Sequence, residues 1–419
     1  MHQPLFLSAE RIDGCQRQSF RRKKVNGYHM RLKLAATATF GLEAVVKREI
    51  QELGYEIEKV EDGRITYSGD ERAIAVSNLW LRCADRVLLV MGSFEASEFE
   101  ELFQNVKGME WEYLIPPDGR FTVTGSSVKS QLHSVPACQS IVKKAIVSRL
   151  SEMYGMDHFE ETGAEYTVKV SLIKDRATIT VDTSGVGLHK RGYRQLAVPA
   201  PLKETLAAAL IKLSFWKKDR ILLDPCCGSG TIPIEAAMIG RNIAPGLGRK
   251  FASEEWEFVD SAIWKEERRK AYEAITQEPL SIFASDVDPR SMKAAMENAA
   301  NAGVEEDIQF KQINITDMRR AYISDAIGGR TNEDHAENGV IIVNPPYGKR
   351  IGEEKAIETV YGSLRKFHED NPDWSIFMIT ADKTAEKKVW GRPADRRRKL
   401  YNGNVETCYY QFHGERKQY

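Results

Sequence analysis

The chain lacks a charge excess. Its 60 Lys and Arg side chains are matched by 60 Asp and Glu over 419 residues, so any surface for a polyanion has to come from local clustering, not overall charge. Cysteine is scarce and scattered: Cys15, Cys83, Cys138, Cys226, Cys227 and Cys408 never form the C-x-x-C spacing that holds zinc. That argues for a reduced, cytoplasmic setting and against a resident metal. No apolar run reaches the roughly 18 residues a membrane span needs, and the N-terminus lacks the apolar core of a secretory signal, so a soluble protein without a membrane partner is expected. No internal repeat or low-complexity tract stands out.

What is present suggests two or three domains, because the chain is too long for one ordinary core. Residues 1–29 are polar and irregular, with the basic cluster Arg17, Arg21, Arg22, Lys23 and Lys24, and read as a disordered extension that either touches RNA or is simply a solvated tail. From Met30, Leu32, Leu34 and Ala36 alternate as in a strand. Gly41 to Leu53 then repeats apolar residues at helical spacing until Gly54. Short strands and helices follow to about Arg120, as in a small α+β module. Phe121–Thr124 reads as a strand, Ser140 to Tyr154 as an amphipathic helix, and Tyr166–Leu172 with Ala177–Val181 as a hairpin around Lys174-Asp175-Arg176. The basic and aromatic stretch Leu188 to Arg194 comes next. It suits RNA backbone and a structural link between domains equally well.

The second half has the rhythm of an open, mostly parallel sheet. Seven strand candidates are Ile221–Leu223, Ile282–Ser285, Ile308–Lys311, Val340–Val343, Ser375–Thr380, Lys399–Tyr401 and Thr407–Phe412. Helical runs Ile232–Ile239 and Ser291–Ala302 lie between early ones, while the last two have none between them and form an antiparallel edge hairpin.

Two strand ends carry chemistry. Ile221-Leu222-Leu223 runs into Asp224-Pro225-Cys226-Cys227-Gly228-Ser229-Gly230-Thr231, where Gly228 and Gly230 let the backbone approach a ligand and the next helix aims its N-terminus at the same spot. Such a turn also serves as a nucleotide site or a tight structural turn. Cys226 and Cys227 suit packing better than nucleophilic attack. After the second strand, Asp286 can accept hydrogen bonds from ribose hydroxyls, or serve as a helix-entry turn. Asp288 suits either a helix cap or a ligand. After the third, Asp317 can accept from an adenine amine or remain a solvated loop carboxylate.

The most specific signal is Asn344-Pro345-Pro346-Tyr347, closing Val340–Val343. An exocyclic amine is a poor nucleophile because its lone pair is delocalised into the ring. A site that activates it must supply acceptors that draw its hydrogens out of plane. The Asn344 side-chain oxygen and the Pro345 carbonyl can do this, with Pro346 fixing both and Tyr347 stacking on the base. The bland alternative is a rigid strand-to-helix turn. All these motifs fall at the carboxyl ends of strands, where open α/β sheets bind ligands. Together they suit methyl transfer from S-adenosylmethionine to a nucleobase amine, a duplexed base having first to be flipped out.

These residues, together with Leu188–Arg194 and the run Pro201-Leu202-Lys203-Glu204-Thr205-Leu206-Ala207, resemble the THUMP-domain class I RNA methyltransferases, specifically the large-subunit ribosomal RNA guanine-N2 group. The resemblance spans about Met30 to the C-terminus and is sharpest in the second half. It implies a ferredoxin-like segment at 30–74, a THUMP module gripping structured RNA at 75–185, and a Rossmann-like methyltransferase domain at 186–419. It implies guanine N2 of 23S rRNA as the target and Asp224, Cys227, Gly228, Gly230, Thr231, Asp286, Asp317 and Asn344 as the S-adenosylmethionine site. Transfer RNA, adenine N6 of DNA, and a non-catalytic role in ribosome assembly are the alternatives. Residues before Met30 fall outside the family pattern, which makes Met30 a candidate start.

Overall fold

A computed structural model describes residues 31–195, 201–319, 323, 338–346 and 354–415. The N-terminal extension and Tyr347 lie outside the described residues. The strands are β1 (Leu32–Ala38), β2 (Glu56–Glu61), β3 (Arg64–Gly69), β4 (Ala84–Glu95), β5 (Arg120–Val128), β6 (Glu165–Ile173), β7 (Arg176–Asp182), β8 (Leu222–Asp224), β9 (Ile282–Asp286), β10 (Ile308–Gln312), β11 (Val340–Val343), β12 (Ser375–Thr380), β13 (Arg396–Asn402) and β14 (Val405–Phe412). The helices are α1 (Glu43–Glu52), α2 (Glu71–Trp80), α3 (Phe99–Lys107), α4 (Val135–Tyr154), α5 (Glu204–Leu213), α6 (Thr231–Gly240), α7 (Ser261–Glu273), α8 (Pro289–Ala302), α9 (Glu354–Asp370) and α10 (Ala385–Trp390).

The first half builds one seven-stranded sheet in the order β2-β3-β1-β4-β7-β6-β5. Its organising element is β4, a long strand where sequence pattern alone suggested short pieces. Ala84 to Leu89 pair with β1, Leu88 to Glu95 pair with β7, and the register shifts between Val90 and Gly92. That irregularity breaks the simple alternation by which a strand is recognised. The segments expected at 30–74 and 75–185 therefore share a sheet through β4.

The second sheet has the order β10-β9-β8-β11-β12-β14-β13. Its first five strands are parallel and β14 returns antiparallel between β12 and β13, so the edge hairpin and mostly parallel sheet stand as read. The central strands are buried on both faces, as near-continuous apolar runs require. Leu222, Ile282, Ala284, Val340, Ile342, Phe377 and Ile379 face a core continuous with the first half. Leu223, Phe283, Ile341, Val343, Ile376 and Met378 face the opposite side, with Tyr361 and Leu364 of α9. Chain order reverses between β8 and β11, which makes their carboxyl ends the crevice where such sheets bind ligands. The long connection between α6 and β9 reaches back to the first half. Trp256 stacks on Tyr166 at 4.9 Å and donates to the Glu165 carbonyl at 3.0 Å, while Gly246 N–H donates to the Leu79 carbonyl at 3.0 Å. A methyl group on Gly246 would lie 2.7 Å from the Leu79 Cα, so only glycine permits that approach.

Candidate active site at the ends of the central strands

Register places the motif residues side by side. Asp224, the last residue of β8, pairs with Ala284 of β9, so Asp286 lies two residues past it; Leu223 pairs with Ile341 of β11, so Asn344 lies about two residues past it on the other side. With strands about 4.8 Å apart, the β9 and β11 ends stand about 10 Å apart across β8.

The turn after β8 is held by its own backbone and by β9. Cys227 N–H donates to the Ser285 carbonyl at 2.9 Å, Gly230 N–H to the Cys227 carbonyl at 2.8 Å, and Gly228 N–H to the Asp286 carboxylate at 3.0 Å. Gly230 has φ +82°, and a Cβ there would meet the Ala295 Cβ of α8 at 3.1 Å; this glycine serves both a left-handed turn and a close helix approach. Thr231 then starts α6, whose first-turn N–H groups have no partner within the helix and face the turn.

Asp224 is 1 % exposed and its carboxylate accepts from Cys226 N–H at 3.2 Å. Burial pushes its pKa well above the usual carboxylate range, eased by that hydrogen bond and reinforced by the nearby Asp286 charge. No cation pairs with it among the described residues. A crevice holding two carboxylates this way favours a ligand that carries positive charge. Asp286 accepts from Gly228 N–H and, through its other oxygen, from Asp288 N–H at 3.0 Å, which fixes its orientation while leaving lone pairs free. Asp288 caps α8, accepting from Arg290 N–H and the Ser291 hydroxyl, both at 3.2 Å. Asp317 sits exposed on the loop leaving β10, its carboxylate accepting from the Thr316 hydroxyl at 3.4 Å.

Asn344 is the unusual residue. Its Oδ1 is buried and has no hydrogen-bond partner among the described residues, with Pro345 buried beside it and Pro346 exposed. A buried amide oxygen left empty costs about 1–3 kcal/mol, and such strain collects at functional sites.

Cys226 and Cys227 are not poised as thiolates. Burial, with the Asp224 and Asp286 charges, pushes both the Cys226 and Cys227 thiols well above their ordinary range. Only the thiolate attacks. The native protein at pH 8.5 should therefore leave both unlabelled by iodoacetamide, and Cys226→Ala should retain methyl transfer within a few-fold; rapid labelling, or activity lost with the thiol, would contradict this.

Sequence reading left Leu188–Arg194 open between RNA contact and domain link, and burial decides for the link. Arg191 is 4 % exposed. Its guanidinium donates to the Leu188 carbonyl at 2.7 Å, to the Arg82 carbonyl of the first half, and to Glu235 of α6 at 3.4 Å; the Tyr193 hydroxyl also donates to Glu235, at 3.1 Å. Arg194 donates to the Leu202 carbonyl at 2.8 Å and to the Thr231 hydroxyl at 2.7 Å. Charge reversal at these positions would break the interior, not probe RNA.

Asn298 was missed. Its amide donates to the Ser229 carbonyl of the turn at 3.1 Å and its oxygen accepts from Gln195 N–H at 3.2 Å. The only local signal was an asparagine on the alanine-lined stripe of Ala294, Ala295 and Ala299.

Comparison with known proteins agrees with this architecture. Residues 191–411 match the RMKL-like methyltransferase domain family, residues 33–88 the RlmL ferredoxin-like domain, and residues 96–182 the THUMP domain. The "Putative RNA methyltransferase YpsC" of Bacillus subtilis is 50% identical over 382 residues, covering 90% of this chain and 95% of that protein. The ribosomal RNA large subunit methyltransferase K/L of Psychromonas ingrahamii is 33% identical over 374 residues; the match takes in 87% of this chain but only 48% of that protein, so the chain spans about half of that enzyme's length. Among solved structures, SMU.472, "a putative methyltransferase complexed with SAH", superposes with TM-score 0.84 at 43% identity, covering 93% of this chain and 100% of that one. A "predicted N6-adenine-specific DNA methylase" from Listeria monocytogenes superposes with TM-score 0.85 at 45% identity, covering 92% and 97%.

Proposed function

The chain belongs to the RMKL-like methyltransferase family, and on that premise we propose that it transfers a methyl group from S-adenosylmethionine to the exocyclic N2 amine of a guanine in RNA, with 23S rRNA as substrate. The observation that carries this reading is the buried Oδ1 of Asn344, without a hydrogen-bond partner among the described residues, at a strand end beside the glycine turn.

The crevice fits the donor. S-adenosylmethionine supplies an electrophilic methyl on a sulfonium and carries an ammonium and a carboxylate. The Asp224 and Asp286 carboxylates suit the positive centres and the ribose hydroxyls, and the Thr231 and Ile232 N–H groups at the start of α6 suit the carboxylate. Gly228, Gly230 and the Cys227 backbone shape the cradle, and Asp317 accepts from the adenine amine. On the acceptor side, Asn344 Oδ1 and the Pro345 carbonyl take the two amine hydrogens, turning the nitrogen lone pair out of the ring plane and toward the donor, while Pro346 stiffens the turn and Tyr347 stacks on the base. No enzyme nucleophile is involved, in keeping with the protonated cysteines. The THUMP-matching segment grips structured RNA, and the buried linker around Arg191 sets its distance from the crevice.

The guanine and ribosomal choices rest on family likeness, and the names of the relatives point to both RNA and DNA. Incubating the protein with methyl-labelled S-adenosylmethionine and separate pools of unmodified 23S rRNA transcript, transfer RNA and duplex DNA, followed by nucleoside analysis, tests them. N2-methylguanosine in the rRNA pool is expected. Label appearing only as N6-methyladenine in DNA would overturn the proposal, and label only in transfer RNA would move the substrate.

A further inference from the structure

With Arg191 buried and Arg194 held by the Leu202 carbonyl and the Thr231 hydroxyl, a positive surface that leads RNA to the crevice is better sought elsewhere, and β13 offers one. Arg396 to Lys399 are four consecutive cations on the outermost strand of the catalytic sheet, whereas the hairpin from Arg396 to Phe412 contains one carboxylate, Glu406. Arg397, Lys399 and Tyr401 fall at alternate positions and so share a face. Lys399 Nζ lies 5.5 Å from the Tyr401 ring centre. The ring of Phe40, from the loop after β1 in the first half, meets Tyr401 edge-on at 6.1 Å and is 49 % exposed. Beneath it the two halves touch: a Cβ on Gly41 would lie 2.7 Å from the Lys399 carbonyl oxygen. Lys383, 80 % exposed, completes the cluster.

Register fixes where this surface lies relative to the crevice. Lys399 pairs with Cys408, which pairs with Thr380 at the carboxyl end of β12; Tyr401 lies two residues beyond. Val343 pairs with Met378, so the Tyr401 row stands three residues past the Asn344 row and three strands across. That is about 10 Å along the strands and about 14 Å across the sheet, on the same carboxyl-end rim. Charges on an edge strand also discourage unwanted pairing. That role needs neither an aromatic pair shared by both halves, with Phe40 exposed and Tyr401 partly buried, nor a position on the catalytic rim.

We propose that the Phe40–Tyr401 pair, with Lys383 and Lys399, is the docking surface for the single-stranded RNA flanking the target base: a base stacks on the aromatic pair and neighbouring phosphates meet the two lysines. This rests on RNA being the substrate. In the free protein both lysines share one carboxylate, Glu406, at 3.3 Å and 2.7 Å, which acts as a stand-in for phosphate.

The test is the affinity of unmodified 23S rRNA transcript at several salt concentrations, read beside the affinity of S-adenosylhomocysteine. Replacing Phe40 and Tyr401 together with alanine should weaken RNA binding about tenfold or more with the salt slope unchanged. Lys383→Ala with Lys399→Ala should weaken it and lower the slope by about two. Glu406→Gln should tighten it severalfold, a change of sign that a merely structural role would not give. S-adenosylhomocysteine affinity should stay within twofold throughout, which shows that the crevice is intact. RNA affinity within twofold of wild type in all three variants overturns the docking surface and leaves the proposed reaction standing, whereas a wild-type protein that binds no RNA overturns both.

Discussion

Asn344→Ala is expected to lower the turnover number about 10²–10³-fold, the loss typical when one preorganised polar contact to a transition state is removed, while the protein stays folded and loses far less affinity for S-adenosylhomocysteine than it loses in turnover. Most buried amides pay for their position with hydrogen bonds, so truncating them unfolds something. Asn344 Oδ1 has no such bond among the described residues, and its removal takes away an unsatisfied acceptor worth about 1–3 kcal/mol of desolvation. The melting temperature should therefore hold or rise while catalysis collapses. Single-turnover methyl transfer at saturating donor, calorimetric titration with S-adenosylhomocysteine and thermal unfolding separate these effects. A variant that turns over normally, or that fails only because it no longer folds, would remove Asn344 from the chemistry.

Glu235→Ala is expected to cost about 3–5 kcal/mol of stability, the usual effect of leaving one partner of a buried ion pair alone. The Arg191 and Glu235 side chains are 2 % and 0 % exposed. Without the carboxylate, a guanidinium would be stranded in the interior near Arg82, whose Nη1 already lacks a hydrogen-bond partner among the described residues, and the Tyr193 hydroxyl would lose its acceptor. Because Arg191 also holds the Arg82 carbonyl, the damage falls on the junction between the halves. Urea unfolding should show a lower midpoint, and replacing both partners with apolar residues of similar volume, Arg191→Met with Glu235→Leu, should recover much of the loss. A loss of unfolding free energy under about 1 kcal/mol for Glu235→Ala would mean that the pair is not structural.

Much of the catalytic sheet was legible because its signals are local. Val340–Val343 and Ser375–Thr380 were bounded correctly by their apolar runs, and the turns that follow strands are contiguous in sequence with those strands, so Asp224, Asp286 and Asn344 could be assigned to one rim before any coordinates. The strand β13 was read as three residues and spans seven, since Arg396–Arg398 carry no apolar period. What stayed hidden depends on distant partners. Arg191 stays open between an RNA contact and a domain link until Glu235, 44 residues on, is found against it. Trp256 gave no sign that it would stack on Tyr166, nor Phe40 that it would meet Tyr401, because such contacts leave no spacing to count.

The central claim is that two fixed oxygens beside a sulfonium donor make an aromatic amine reactive, and the most direct measurement removes that amine. A synthetic RNA spanning the labelled guanosine, carrying inosine at that one position, keeps the purine ring with its O6 and N1–H but has no exocyclic N2 group. It should bind with nearly the affinity of the parent RNA and accept no methyl group. Methyl transfer to the inosine RNA at a rate near that of the parent would contradict the account.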